Sequence, residues 1–134
     1  MRERLFGFAL ACTLCLWLYW PGLMSWFAMD DFAWLALRLQ ILTPADILPT
    51  LFAPKAQGTI RPLSERLYFI GLTQLFGIDA LPFRLVAFAT QLLNLWLVLR
   101  LVERVTGSLA GGLVAALLWT LNSTLGLAMS WSSA

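Results

Sequence analysis

LFGFALACTLCLWLYWPGLMSWFAM, residues 5–29, runs for 25 positions without a charged side chain. At about 1.5 Å of rise per residue, a helix of that length covers a hydrocarbon core of roughly 30 Å with some tilt. The stretch therefore predicts a membrane-spanning helix, and the rest of the chain agrees. Apolar residues make up 60% of the 134 and charged residues 12%, and there are seven tryptophans. With a mean hydropathy of +0.81, this is far from the composition of a soluble domain. A secretory signal peptide is the competing reading, because Arg2 and Arg4 form a positive start and Ala9–Cys12 faintly resembles a lipoprotein cleavage box. Against it, Ala9 stands where such a box usually has leucine, and apolar sequence continues far beyond Cys12. Cys12 and Cys15 both fall inside the span, which leaves no basis for a disulfide or a zinc site.

Two more spans follow from the same reasoning. One is placed from Leu81 to about Leu99 or Arg100, with Arg84 able to snorkel to one interface and Arg100 marking the other. The next runs from Ser108 to about Met129, and the short RLVERVTG turn, residues 100–107, joins the two as a helical hairpin. Ser108, Gly112 and Ala116 recur at four-residue spacing, which lets helix backbones approach closely in lipid. Gln91 and Asn94 read as hydrogen-bond partners between helices. Asn122-Ser-Thr matches a glycosylation sequon but lies in or beside a span and is discounted. Placing Met1 in the cytoplasm puts Arg2, Arg4, Arg100 and Arg104 on the cytoplasmic side, as basic residues near span ends favour. The outer loop, residues 30–80, carries Arg38, Lys55, Arg61 and Arg66 as well.

That loop does not read as a disordered linker. Phe32, Leu35, Leu39 and Leu42 recur at helical spacing, and Arg38 falls two turns beyond Asp31 on nearly one face, about 10 Å along the axis. A first juxtamembrane helix is expected to end near Thr43-Pro44, where the proline disfavours helical geometry in the residue before it. The proline-punctuated stretch TPADILPTLFAPKAQGTIRP follows, residues 43–62. A second interfacial helix is expected over Leu63–Phe76, with Pro62 suited to its first turn. Its apolar part, Leu67–Ile78, is about 12 residues long and too short to cross. The predicted fold class is an all-α integral membrane protein: three transmembrane helices, at about 5–29, 81–100 and 108–129, plus two juxtamembrane interfacial helices in the outer loop.

Chemistry concentrates at Asp30 and Asp31, immediately after the first span. Two adjacent carboxylates at a membrane boundary raise one another's cost of ionisation. A desolvated, paired carboxylate suits a general base that accepts a proton from a sugar or lipid hydroxyl. The same residues also suit the start of a helix, through capping and the helix dipole. Both readings stand, and both can hold together. Arg61, in TIRPLSERLYF, residues 59–69, can bind a lipid-linked phosphate through its planar fork of donors, or pair with Glu65 at i+4. With no histidine, no cysteine cluster, no glycine-rich phosphate loop and no basic patch, the sequence predicts no metal site and no nucleic-acid partner.

Taken in order, these features resemble the N-terminal part of GT-C class membrane glycosyltransferases. They are a first span followed by an acidic pair (MDDFAWL, residues 29–35), two juxtamembrane helices, RPLSERLYFIGLTQLFG from Arg61, GIDALPFRLVAFATQLLNLWLVLRLVERVTG from Gly77, and a span rich in small residues. The nearest types are protein O-mannosyltransferases and bacterial lipid-A aminoarabinose transferases. The resemblance implies transfer of a sugar from a polyprenyl-phosphate carrier to a lipid, glycan or protein acceptor on the outer face of a bacterial inner (plasma) membrane. It implies that Asp30 or Asp31 is the base and that Arg61 and Arg38 serve substrate binding, with the lipid-linked sugar donor as a substrate, no cofactor named, and a divalent-metal requirement left open. Many relatives have His-Pro-Pro-Leu where this chain has Ile60-Arg61-Pro62-Leu63. Such enzymes have eight or more spans, so the chain is expected to be an N-terminal fragment, inactive alone. The alternative is a small non-enzymatic three-span membrane protein, an assembly factor or transporter fragment, whose acidic pair caps a helix.

Overall fold

The computed structural model describes residues 2–52 and 61–130. Lys55 and the rest of 53–60 lie outside the described residues, as do residues 131–134. Every regular element among the described residues is helical: α1 (Arg2–Met24), α2 (Asp31–Leu35), α3 (Ile47–Phe52), α4 (Tyr68–Phe76), α5 (Ala80–Thr106), α6 (Leu109–Thr120) and α7 (Thr124–Ser130). Two of them are long and apolar enough to cross a membrane, α1 with 23 residues and α5 with 27. At about 1.5 Å per residue they reach roughly 35 and 40 Å. The chain divides into two compact units, Met1–Ser25 with Arg84–Ser130, and Trp26–Phe83.

In the first unit α1 runs antiparallel to α5. At one end Arg4 Nη2 donates to Glu103 Oε1 at 2.6 Å, and Arg100 Nη1 donates to Glu103 Oε2 at 3.1 Å. At the other end Arg84 Nε donates to the Ser25 carbonyl at 3.3 Å. Arg84 therefore does not snorkel to an interface as the sequence predicts, because its side chain is wholly buried. Between the ends, Cys15, Leu95, Leu99 and Ala116 form one apolar cluster and Leu23, Phe88 and Met129 another. Phe8 meets Trp96 edge-on at 5.0 Å, and the Arg100 guanidinium lies 5.7 Å from the centre of the Trp96 ring.

The predicted hairpin is present, with a tighter turn. Helix α5 continues through 100–106 instead of ending at Leu99 or Arg100, and Gly107 reverses the chain at φ +69°, a conformation that strains any side chain. Ser108 then caps α6 by accepting the Gly111 amide at 3.1 Å. Gly112 and Ala116 face inward, as the small-residue spacing predicts. A Cβ on Gly112 would stand 2.6 Å from the Leu99 carbonyl oxygen, so only glycine permits this approach.

The stretch read as a continuous span over 108–129 is interrupted. Helix α6 has 12 residues and α7 has 7. Asn122 causes the restart, because its Oδ1 accepts both the Thr124 amide (3.1 Å) and the Thr124 hydroxyl (2.8 Å). Asparagine competes in this way with the helical ladder for backbone donors. Tyr19, from α1, covers the gap: its hydroxyl donates to the Thr120 carbonyl at 2.6 Å. The first helix is also shorter than read, ending at Met24 where Ser25 donates through N and Oγ to the Gly22 carbonyl.

The second unit packs its short helices around Phe27, Trp34, Leu37, Phe69, Ala80 and Phe83. Edge-to-face ring pairs join Phe27, Tyr68 and Phe83, and Tyr68 donates to the Phe83 carbonyl at 2.7 Å. Aromatic contacts of this kind contribute about 0.5–1.5 kcal/mol each beyond area burial.

Candidate functional site

The acidic pair sits in a turn that holds its two members differently. After Phe27 the chain reverses at Met29, whose φ of +47° is unusual for a residue with a side chain. The Asp31 amide donates to the Ala28 carbonyl and the Ala28 amide donates back to Asp31 Oδ2, both at 3.1 Å. Asp31 is 0% exposed. Asp30 is exposed, starts α2 through its carbonyl, which accepts from the Ala33 and Trp34 amides, and makes no capping bond with its side chain. The neighbouring carboxylates therefore differ: one is built into the turn and the other is available to a solvent-side partner.

The first juxtamembrane helix is real but shorter and tighter than its spacing predicts. It is α2 followed by a 3₁₀ segment, Ala36–Gln40, which ends at Ile41, two residues before Thr43. Its buried line is Asp31, Trp34 and Leu37, at spacing three. Of the stripe read at helical spacing, Leu35 packs against the core of this unit, while Phe32 is 50%, Leu39 77% and Leu42 87% exposed. A three-residue turn explains this, because it aligns i, i+3 and i+6. Arg38 is exposed and Asp31 buried, so they do not share one face as the helical count predicts.

Beyond the turn, Asp46 Oδ2 accepts from the Thr43 amide (2.7 Å), the Thr43 hydroxyl (2.9 Å) and the Leu42 amide (3.1 Å). The Thr43 donors in particular hold the Asp46 carboxyl below its usual range. The second predicted helix starts, as expected, with Pro62 in its first turn. That turn is a π-helical stretch, Pro62–Leu67, which passes directly into α4. Arg61 donates to Glu65 Oε1 at 3.1 Å, the i+4 pair weighed from the sequence, while remaining 57% exposed. The wider turn carries two charged side chains whose burial the sequence reading did not anticipate. Arg66 is completely buried and donates through Nη1 to the Thr50 and Leu51 carbonyls at 3.1 and 2.7 Å, closing the end of α3. Glu65 is also buried. A charged pair one residue apart inside an apolar sequence was the available signal.

Arg38, Ile41, Ile47, Leu67, Ile70, Gly71 and Gln74 line an open groove of about 510 Å³. Its walls are aliphatic, and among the described residues Arg38 is its only ionisable lining group. Such a groove fits an apolar chain whose anionic end meets a guanidinium. Among the described residues no three acidic, histidine or cysteine side chains gather as a metal site would need. Comparison with protein families, with curated proteins and with solved structures gave no match.

Proposed function

We propose that the chain is the N-terminal part of a membrane glycosyltransferase of the GT-C kind. It would transfer a sugar from a polyprenyl-phosphate carrier to an acceptor on the outer face. The carrying observation is the division of labour in the acidic pair: in the turn that follows a membrane-length helix after residues 25–28, Asp31 closes the turn and leaves the Asp30 carboxylate exposed. Asp30 is the general base, taking the acceptor's hydroxyl proton as the new glycosidic bond forms. Asp31 is its positioning residue. Arg38, at the rim of the aliphatic groove, meets the carrier phosphate, whose charge grows as it leaves. Arg61 keeps a second guanidinium exposed, tethered by Glu65.

The third span of this reading is the interrupted pair α6 and α7, with α1 and α5 as the other two. The N-terminus is cytoplasmic, which agrees with Arg4 and Arg100 meeting at Glu103 while Arg2 and Arg104 stay exposed at the same helix ends. One observation favours the non-enzymatic alternative. Asp31 fulfils a structural role without any substrate, as an acid that merely organises a helix start would. Membranes carrying the gene's entire reading frame, incubated with a polyprenyl-phosphate-linked radioactive sugar and native membrane acceptors, separate the two. Enzyme-dependent release of polyprenyl phosphate supports transfer. Donor consumption no higher than in membranes lacking the protein rejects it.

A further inference from the structure

The groove on the second unit is open at a position where a side chain would be ordinary. Leu67, Ile70, Gly71 and Gln74 line it at i, i+3, i+4 and i+7, so one face of α4, with the last residue of the π-helical turn, forms a wall. Inside a helix glycine is less favourable than alanine, and no packing contact calls for it at 71. Among the described residues, a Cβ there would meet no atom within 4 Å beyond its own stretch of helix backbone, and its φ lies outside the positive range. Gly112 differs, because a backbone contact demands it. What the missing side chain at Gly71 does is leave the groove its volume of about 510 Å³.

Charge and surroundings say what fills it. Arg38 is exposed, and its guanidinium makes no hydrogen bond or ion pair among the described residues. No acidic side chain lines the groove among those residues, so an anionic group is matched there and the cationic part of a zwitterionic head is not. Leu39, Leu42, Leu48, Leu63 and Leu75, on or beside the lining elements, are 66–87% exposed, an apolar surface that suits hydrocarbon better than water. The unit begins at Trp26, two residues after α1 ends, and runs into the first turn of α5. The chain thus ties both ends of the unit to the two helices long enough to cross a bilayer. In a bilayer, phospholipid surrounds the protein at a concentration that fills even a weak site by mass action.

We propose that the groove holds one acyl chain of an anionic bilayer phospholipid, with the head-group phosphate on the Arg38 guanidinium and the chain over Gly71. The occupancy goes beyond sugar transfer. It needs no donor, and a carrier phosphate that comes to Arg38 displaces the resident head group.

The test is photolabelling of the chain in phosphatidylcholine vesicles that contain phosphatidylglycerol with a diazirine on one acyl chain, read by mass spectrometry of the labelled peptides. The expected result is labelling within residues 67–74, about fivefold above that given by phosphatidylcholine with the same tag, the scale of one arginine meeting an anionic head. Arg38→Gln should remove that preference, and Gly71→Leu should lose the labelling of 67–74 while α1 and α5 stay labelled. Arg38→Gln alters an exposed, unpaired side chain, so it carries the test if Gly71→Leu fails to insert. Equal labelling by the two lipids, a preference kept in Arg38→Gln, or full labelling of an inserted Gly71→Leu overturns the proposal. Labelling of 67–74 by diazirine-tagged farnesyl phosphate and not by the phosphatidylglycerol overturns it too, and leaves the sugar-transfer reading standing.

Discussion

At the scale of single residues, two adjacent aspartates with the same chemistry have different surroundings. Removing the buried Asp31 carboxylate breaks its part-buried bond from the Ala28 amide, and a bond of this kind contributes about 0.5–1.5 kcal/mol. Asp31→Ala should therefore lower the unfolding midpoint in detergent, while Asp30→Asn, at an exposed side chain without a capping bond, should change stability by less than about 0.5 kcal/mol. Equal losses in a calorimetric or fluorescence melt would contradict this division. Asp46 offers a pH test in the same loop. Its carboxyl is held low by the Thr43 donors, so its stabilising contribution is complete above the carboxylate's ordinary range and is lost as pH falls through the depressed folded value. A carbon-13 titration of Asp46 should show a midpoint below that of an unstructured aspartate, moving up toward it in Thr43→Ala. The positions of these carboxylates were legible in the sequence. Which one of the pair is buried was not, because that depends on a three-residue turn bringing Asp31 into line with Trp34 and Leu37, and the apolar pattern alone suggested the wider α-helical count.

At the scale of elements, what the sequence disclosed follows the strength of each local signal. The α5–α6 hairpin was readable because Gly112 and Ala116 can satisfy only a close helix contact, and a glycine at 107 permits the reversal. The break between α6 and α7 was missed because hydropathy stays high across it. Its cause, the Asn122 side chain taking the Thr124 donors, is a local hydrogen bond that a hydropathy count does not register. Likewise the end of α1 depends on Ser25 and Gly22, which look unexceptional within an uncharged run. The two glycine contacts make contrasting predictions. A Cβ at Gly112 meets the Leu99 backbone at 2.6 Å, whereas one at Gly7 meets the Leu113 side chain at 2.5 Å. Backbone cannot move aside without shifting a helix, but a leucine can change rotamer. Gly112→Ala should then cost about 1–3 kcal/mol, in the range of overpacked cores, and Gly7→Ala clearly less. Thermal unfolding of the two variants in one detergent checks the order, and a reversed order contradicts the packing of α6 on α5.

At the scale of the whole molecule, composition alone indicated a helical membrane protein, and two helices have the length and apolar character to cross. A crossing by α6 and α7 belongs to the proposal, and the proposed direction of insertion rests on the grouping of Arg4, Glu103 and Arg100 at one end of the first unit, together with the positive-inside tendency. A cysteine placed at Asp30 or Ala45, in a chain with Cys12 and Cys15 replaced by serine, should react with an impermeant maleimide added outside the cell. Labelling only after the membrane is opened would reverse the orientation. The sugar-transfer reading comes from the order of motifs, because spacing cannot name a substrate. Its central claim is that Asp30 accepts the proton. Transfer from a polyprenyl-phosphate sugar by the entire reading frame, compared among wild type, Asp30→Asn and Asp31→Asn at equal membrane abundance, tests that claim most directly. Asp30→Asn should lose at least about 100-fold in turnover, the scale of general-base catalysis, with insertion unchanged; turnover by Asp30→Asn equal to the wild type would contradict it.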